Sequence, residues 1–325
     1  MTIAIVSEKA FTAVDGSSFR PLMQSEGLQA NGYNDFKLFH VDSLKNFNES
    51  DYSIIHAHQK TGLQFSNYLA DLHGVYTHQF KDRITSSSFL QRQKLRMRNL
   101  PKLKKMQDSL LKRAKGIICA GESIEEYAKS VGTTTYLVRS CVNLSLYQNC
   151  DYSSSKVCVC GPFLKAYDNY YQLRYVLEMA KKLTQIQFML IGKIEAEEQD
   201  TINKFDNIHV LGYVDNFIEK LRSCSILFAP YPSYSTQGGA KTKLIEAAAC
   251  GIPIVATSYA ICDFQCNDVL IGKDIAELSE RLLYLAQSEG NRKHIGQKLK
   301  SYVSEYHNYL LETKKLIQVY KNTGN

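Results

Sequence analysis

The sequence predicts an α/β protein of two Rossmann-like domains in tandem with a cleft between them. At the usual ~100–200 residues per domain, 325 residues accommodate two cores. Short β-branched runs alternate with helical patterns along the whole chain, which is the rhythm of a parallel sheet covered on both faces. Periodicity lapses once, at "SLYQNCDYSSSK" (145–156), where Ser, Asn and Asp gather as in a linker.

In the first half the strands read as "TIAIV" (2–6), "FKLFH" (36–40), "SIIHAH" (53–58), "GVYTHQF" (74–80), "GIICA" (116–120) and "TTYLV" (134–138). Helices are expected over 18–30, 61–71, a long basic stretch to 115, and "SIEEYAKSV". The second half repeats the rhythm with strands "VCVCG" (157–161), "IQFMLIG" (186–192), "IHVLGYV" (208–214), "SILFAPY" (225–231) and "IPIVATS" (252–258). Helices fall between them and close the chain. The domains are then 1–148, 149–306, and a terminal helix over 307–325 that packs back toward the first domain.

Composition excludes several classes. Hydrophobic residues make up 44% of the chain and charged residues 22%, with no run of ~18 apolar residues for a membrane span. The first residues carry neither a basic leader nor an apolar stretch of signal length, so the expected location is cytoplasmic. The nine cysteines, at spacings without a strong zinc signature, read as buried, reduced core thiols.

The net charge of +7 is local. Ten basic residues and one acidic residue lie between Gln91 and Lys115, so this segment carries +9 and the rest of the chain about −2. Leu103, Met106 and Leu110 recur there at helical spacing, and Pro101 is expected to break or kink what precedes it. A cationic amphipathic helix on an anionic membrane is one reading, with Arg92, Lys94, Arg96, Arg98, Lys102, Lys104 and Lys105 as the contacts. A solvated helix face and a polyanionic acceptor are the others. Nucleic acid is disfavoured, because no aromatics interleave the charges for base stacking.

The most informative stretch is "GGAKTKLIEAAACGIPIVAT" (238–257). A helix mouth after a glycine loop offers free backbone N–H groups and a positive dipole end to an anion. Lys243 adds a full charge in the first turn. Glu246, three residues on, shares that helix face. A carboxylate does not bind phosphate, but it accepts hydrogen bonds from a vicinal diol such as a ribose. An ordinary exposed Lys–Glu helix pair is the alternative.

This stretch resembles the ribose-binding helix of the retaining GT-B nucleotide-sugar glycosyltransferases, the group 1 or family 4-like enzymes. "SIIHAH", "YTHQF", "AKGIICAGES", "YLVRSCVNLSLY", "FMLIG", "NIHVLGYV" and "LIQVY" follow in the family's order. The resemblance implies the GT-B fold, an acceptor-binding first domain and a nucleotide-sugar-binding second one. It implies transfer of a sugar, with retention, from a nucleoside-diphosphate sugar to a hydroxyl acceptor that is lipid-linked or a polysaccharide. No metal or other cofactor is expected beyond that co-substrate. A glycolipid acceptor would place the protein peripherally on the inner membrane face.

Carried over by position, Glu246 matches the ribose-binding glutamate and Lys243 a lysine that approaches the diphosphate. Gly238 and Gly239 match the donor-facing loop, with Ala240 and Lys241 beside them. Gly16 matches the glycine loop after the first strand, Gly212 and Tyr213 the base-binding side, and His78 a histidine that reaches the donor sugar. His73 competes for that role, but the strand expected over 74–80 ends near His78 and begins after His73. His56 and His58 lie on one strand face without a helpfully spaced third ligand, so no metal is assigned to them. The chain also departs from the family. Gly238 stands where a second glutamate is common, and no arginine follows Gly161, leaving Lys165, Lys241 and Lys243 as substitutes for stabilising a leaving diphosphate. A nucleotide-sugar epimerase or a catalytically lapsed GT-B binding protein is the alternative these departures raise.

Overall fold

The computed structural model describes residues 2–11, 16–86, 89–165, 167–232 and 239–324. They form two compact units. Unit 1 comprises Met1–Asn143, Thr236–Ala240 and Tyr306–Asn325; unit 2 comprises Leu144–Ser235 and Lys241–Glu305.

In unit 1 the chain runs through β1 (Ile3–Ser7), α1 (Gly16–Ala30), β2 (Phe36–His40), β3 (Ile54–His58), β4 (Leu69–Leu72), α2 (Tyr76–Ser86), α3 (Phe89–Lys94), α4 (Leu100–Arg113), β5 (Gly116–Cys119), α5 (Glu122–Ser130) and β6 (Thr135–Leu137). The strands form one parallel sheet in the order β2-β1-β3-β4-β5-β6. Successive side chains alternate between its faces. Ala4, Val6, Ile55, Ala57 and Ala70 pack on one side with Leu110 and Leu111 of α4. Ile3, Ile5, Ile54 and Leu69 pack on the other with Leu316, Val319 and Tyr320. Each such buried isoleucine, valine or leucine side chain is worth about 1.5–3 kcal/mol, and covering both faces requires the near-continuous apolar strands seen in the sequence.

Unit 2 contains β7 (Val157–Cys160), α6 (Gln172–Lys182), β8 (Phe188–Ile191), α7 (Ala196–Ile202), β9 (Ile208–Gly212), α8 (Phe217–Arg222), β10 (Ile226–Ala229), α9 (Thr242–Ala249), β11 (Ile254–Ala256), β12 (Leu270–Ile271), α10 (Ile275–Ala286) and α11 (Glu289–Tyr306). Its sheet is also parallel, in the order β12-β11-β10-β7-β8-β9. The last helix, α12 (Tyr309–Thr323), belongs to unit 1, where Thr313 lies so close to α1 that a Cβ on Gly27 would sit 2.6 Å from it.

Two expected elements are different. Residues 61–71 were expected as a helix, but they hold a 3-10 turn and then β4. The strand expected at 74–80 is the start of α2. The reason is distant in sequence: Gln107 of α4 accepts a hydrogen bond from the Thr77 backbone N–H (3.0 Å) and donates to the Thr77 hydroxyl (3.2 Å), satisfying a first-turn donor of α2 from another helix. Pro101 sits in the first turn of α4, and what precedes it is interrupted, as expected: the α-helical ladder gives way to a π-helical turn at Leu95–Asn99.

Candidate functional site

In an open parallel sheet, ligands collect beyond the carboxyl ends of the strands where the strand order reverses. In unit 2 that point lies between β7 and β10. The mouth of α9 is anchored there by its lysines. The Lys243 ammonium donates to the Cys160 carbonyl (2.6 Å), the Gly161 carbonyl (3.1 Å) and Asn169 Oδ1 (2.9 Å). Those bonds use an ammonium's three protons. Lys243 therefore contributes charge and ties the helix to the end of β7 in this arrangement. Lys241 stands at the N-cap position, with its ammonium 4.2 Å above the Tyr231 ring just past the end of β10.

Glu246 lies one turn in and is buried. Its Oε1 accepts from the Tyr147 hydroxyl at 3.1 Å. Burial raises its carboxyl from the usual range to about 7, against the opposing effects of the Tyr147 bond and the Lys243 charge. A carboxylate at this pKa retains acceptor capacity for a ligand hydroxyl. Ala240 is buried beside the helix mouth. Gly239 has φ +88°, and a Cβ there would meet the His73 carbonyl at 2.8 Å, so the backbone conformation and the close approach both call for glycine. Gly238 lies outside the described residues.

The remaining donor candidates are placed as follows. Lys165 pairs with Glu197, which raises its pKa; its backbone N–H donates to Glu195 (2.7 Å), so its charge is met locally. Gly212 ends β9 with φ +67° and Tyr213 follows it, 62% exposed, a ring available for stacking. Gly16 opens α1.

The switch point of unit 1 lies between β1 and β3. Beside it, at the ends of β3 and β4, is a buried polar cluster that the strand prediction overlooked. Asp71 is the register partner of His58. Its carboxylate accepts from Arg20 Nε (2.8 Å), Arg20 Nη2 (3.0 Å), Gln24 Nε2 (2.8 Å) and His56 Nε2 (3.1 Å). Burial alone would raise its pKa; the Arg20 guanidinium foremost, with the His56 hydrogen bond, overcomes that and holds it well below the carboxylate range. His56 Nδ1 meets the Tyr320 hydroxyl at 2.6 Å, and His58 Nδ1 meets His73 Nε2 at 2.9 Å. Burial keeps His58 and His73 neutral, His73 at about 4, although Asp71 pulls both upward.

The structure reverses the order of the two candidate histidines. His73 directly follows β4, whereas His78 sits in α2 with its ring edge-on to Tyr127 at 5.3 Å. The preference for His78 rested on a strand that is a helix. His56, His58 and Asp71 also bring three potential metal-ligating atoms within 4.8 Å of one another. Both oxygens of that carboxylate already face the Arg20 guanidinium, so a divalent cation would have to displace an existing counter-ion.

The seven basic residues singled out between Arg92 and Lys105 are all exposed. Three large apolar side chains on the same helical stretch are exposed with them: Phe89 (71%), Leu90 (79%) and Met97 (78%). No described helix is long and apolar enough to cross a membrane. Eight of the nine cysteines are buried, Cys262 being the partly exposed one.

Residues 155–288 match the family described as Glycosyl transferases group 1. Among solved structures, the chain resembles sucrose-phosphate synthase from Thermosynechococcus elongatus (TM-score 0.77, 15% identity, 99% of this chain and 98% of that one). It also resembles Anabaena Alr3699/HepE in complex with UDP-glucose (TM-score 0.70, 13% identity, 99% and 100%). WaaG, a glycosyltransferase involved in lipopolysaccharide biosynthesis, matches with TM-score 0.65 and 14% identity over 96% and 98% of the two chains. At these identities the likeness is one of fold, and that fold is GT-B. No curated protein matches the sequence.

Proposed function

From a chain whose residues 155–288 match the group 1 glycosyl transferase family and whose fold is GT-B, we propose an enzyme that transfers a sugar from a nucleoside-diphosphate sugar to a hydroxyl acceptor with retention, without a metal. The observation that carries this reading is the mouth of α9. A positive helix end, two lysines and the buried Glu246 are stacked at the switch point of unit 2, an order that suits diphosphate followed by ribose. Glu246 accepts from the ribose hydroxyls. Lys243 and the α9 dipole stabilise the charge on the departing diphosphate. In unit 1 the neutral His73 meets a hydroxyl of a sugar substrate, taking the role first expected of His78.

The similarity to a protein solved with UDP-glucose makes that compound the first donor to try. UDP-glucose is expected to raise the melting temperature at millimolar concentration and to be slowly hydrolysed without an acceptor. The other common nucleotide sugars complete the panel. If none of them binds, the reading fails; if a bound donor is isomerised rather than cleaved, an epimerase replaces it.

The acceptor side rests on the basic helical stretch. Exposed Phe89, Leu90 and Met97 among exposed arginines and lysines form a surface suited to the headgroup region of an anionic bilayer. This favours a lipid-linked acceptor at the inner membrane face of the cytoplasm. Each basic side chain near such a surface contributes about 1 kcal/mol. Neutralising Arg92, Lys94, Arg96 and Arg98 together is therefore expected to weaken binding to phosphatidylserine-containing vesicles by two or more orders of magnitude and leave donor hydrolysis unchanged. A protein that ignores such vesicles from the outset has instead a solvated helix face.

A further inference from the structure

The buried cluster of unit 1 contains a proton-placement problem that its geometry resolves. Asp71 is an ionised acceptor, so His56 donates to it from Nε2 and accepts the Tyr320 hydroxyl proton at Nδ1. That leaves the short contact between His58 Nδ1 and His73 Nε2, 2.9 Å, in which one ring donates and the other accepts. The Asp71 carboxylate, 3.6 Å from His73 Nε2 and 4.0 Å from His58 Nδ1, is beyond hydrogen-bond distance of both.

The deciding atom is the far nitrogen of His58. Its Nε2 is buried and has no hydrogen-bond partner among the described residues. Were His73 the donor, neutral His58 would carry its proton on Nε2, and the protein would bury an N–H with nothing to receive it. Buried orphan N–H groups are rarer and costlier than under-used acceptors. The favourable assignment leaves only a lone pair at that position.

We propose that His58 is a positioning residue: its Nδ1–H donates to His73 Nε2 and fixes His73 as the Nδ1–H tautomer, turning the ring at the end of β4 into a hydrogen-bond donor. The His73 side chain is 13% exposed, so its outer edge reaches solvent while its inner nitrogen is committed. A donor presented there meets the oxygen of a sugar hydroxyl and leaves that hydroxyl's own proton for another acceptor. The stacking of His58 on His56, with centroids 4.7 Å apart, keeps the His58 ring from turning away. The catalytic consequence rests on reading His73 as a sugar contact, whereas the tautomer does not.

The test is nitrogen-resolved NMR of histidine-labelled protein at neutral pH, with the two rings assigned by single substitution. The expected spectrum shows His73 protonated at Nδ1 and bare at Nε2. His73 protonated at Nε2 overturns the proposal. His58→Asn keeps an N–H close to the position of Nδ1, and should preserve the His73 tautomer and donor turnover within a few-fold. His58→Phe removes it, and should mix the His73 tautomers and lower kcat for UDP-glucose by about tenfold, the loss of one hydrogen bond made in the transition state, with KM nearly unchanged. Equal losses in both variants with an unmoved His73 spectrum would also overturn it. If the unaltered protein turns over no nucleotide sugar, the functional reading falls, and the spectrum of the unaltered protein still decides the tautomer.

Discussion

Unit 1 buries Asp71 and unit 2 buries Glu246, each near the carboxyl end of its sheet, and the two carboxyls are held differently. Asp71 in unit 1 has a guanidinium on both oxygens and stays ionised. Glu246 in unit 2 has a tyrosine hydroxyl and a lysine whose protons go to two carbonyls and an asparagine, and its carboxyl is pushed up to about 7. Burial is common to both, so burial does not set the protonation state. What sets it is whether a fixed cation bonds directly to the carboxylate. Asp71 is built as permanent internal structure that orders the histidines around it. Glu246 keeps acceptor capacity in reserve, as expected of a group that binds a ligand.

The largest effect should come from removing the cation that separates the two cases. Arg20→Met leaves the Asp71 charge buried without its partner, and breaking one side of such a pair costs about 3–5 kcal/mol. His58 and His73, which Arg20 now helps to hold neutral, would then be drawn toward protonation by Asp71. In the unaltered protein both histidines are held below their unfolded value near 6.5, so they cost stability as pH falls below it; lifting their folded pKa in the variant removes part of that cost. The variant should accordingly recover part of its loss between pH 8 and pH 5, measured by urea unfolding. A pH-independent deficit would mean that the histidines do not replace the guanidinium, and that the contrast with Glu246 has another origin.

Much of this contrast could be read from local sequence in unit 2 and little of it in unit 1. The α9 site is contiguous: Lys241, Lys243 and Glu246 lie within six residues, and helical periodicity puts the last two on one face. The parallel sheets were equally legible, because strands buried on both faces must be apolar throughout. The unit 1 cluster draws Arg20 and Gln24 from α1, His56 and His58 from β3, Asp71 from β4 and Tyr320 from α12. No local pattern links positions 20, 71 and 320. An aspartate inside the short apolar run "YLADLH" was the available signal, since a charge within a buried strand demands a partner. It was masked by Val75, Tyr76 and Thr77, whose strand-like character gave way to a helix start satisfied by Gln107. Tyr147 and Asn169, which hold Glu246 and Lys243, lay 99 and 74 residues away in sequence and were missed for the same reason.

A smaller and more diagnostic effect is expected at Glu246. Its folded pKa, about 7, lies above the ordinary value of 4.5, so the native state binds the proton more tightly than the unfolded chain does. Stability from this group is complete below pH 4.5 and is lost as pH rises through 7, by roughly 3 kcal/mol over the 2.5-unit gap at 1.36 kcal/mol per unit. Glu246→Gln cannot titrate, so the unaltered protein should lose roughly that much stability relative to the variant between pH 5 and pH 8. Ligand affinity should move the other way. The ionised carboxylate is the stronger acceptor for ribose hydroxyls, so nucleotide binding by the unaltered protein should tighten over the pH range in which the fold weakens. In the Gln variant it should be weak and flat. Parallel stability curves for the two proteins would place a cation at Glu246 after all and remove the distinction from Asp71. Opposed pH trends in stability and affinity would be the signature of a carboxylate kept partly neutral until a sugar hydroxyl makes its charge worthwhile.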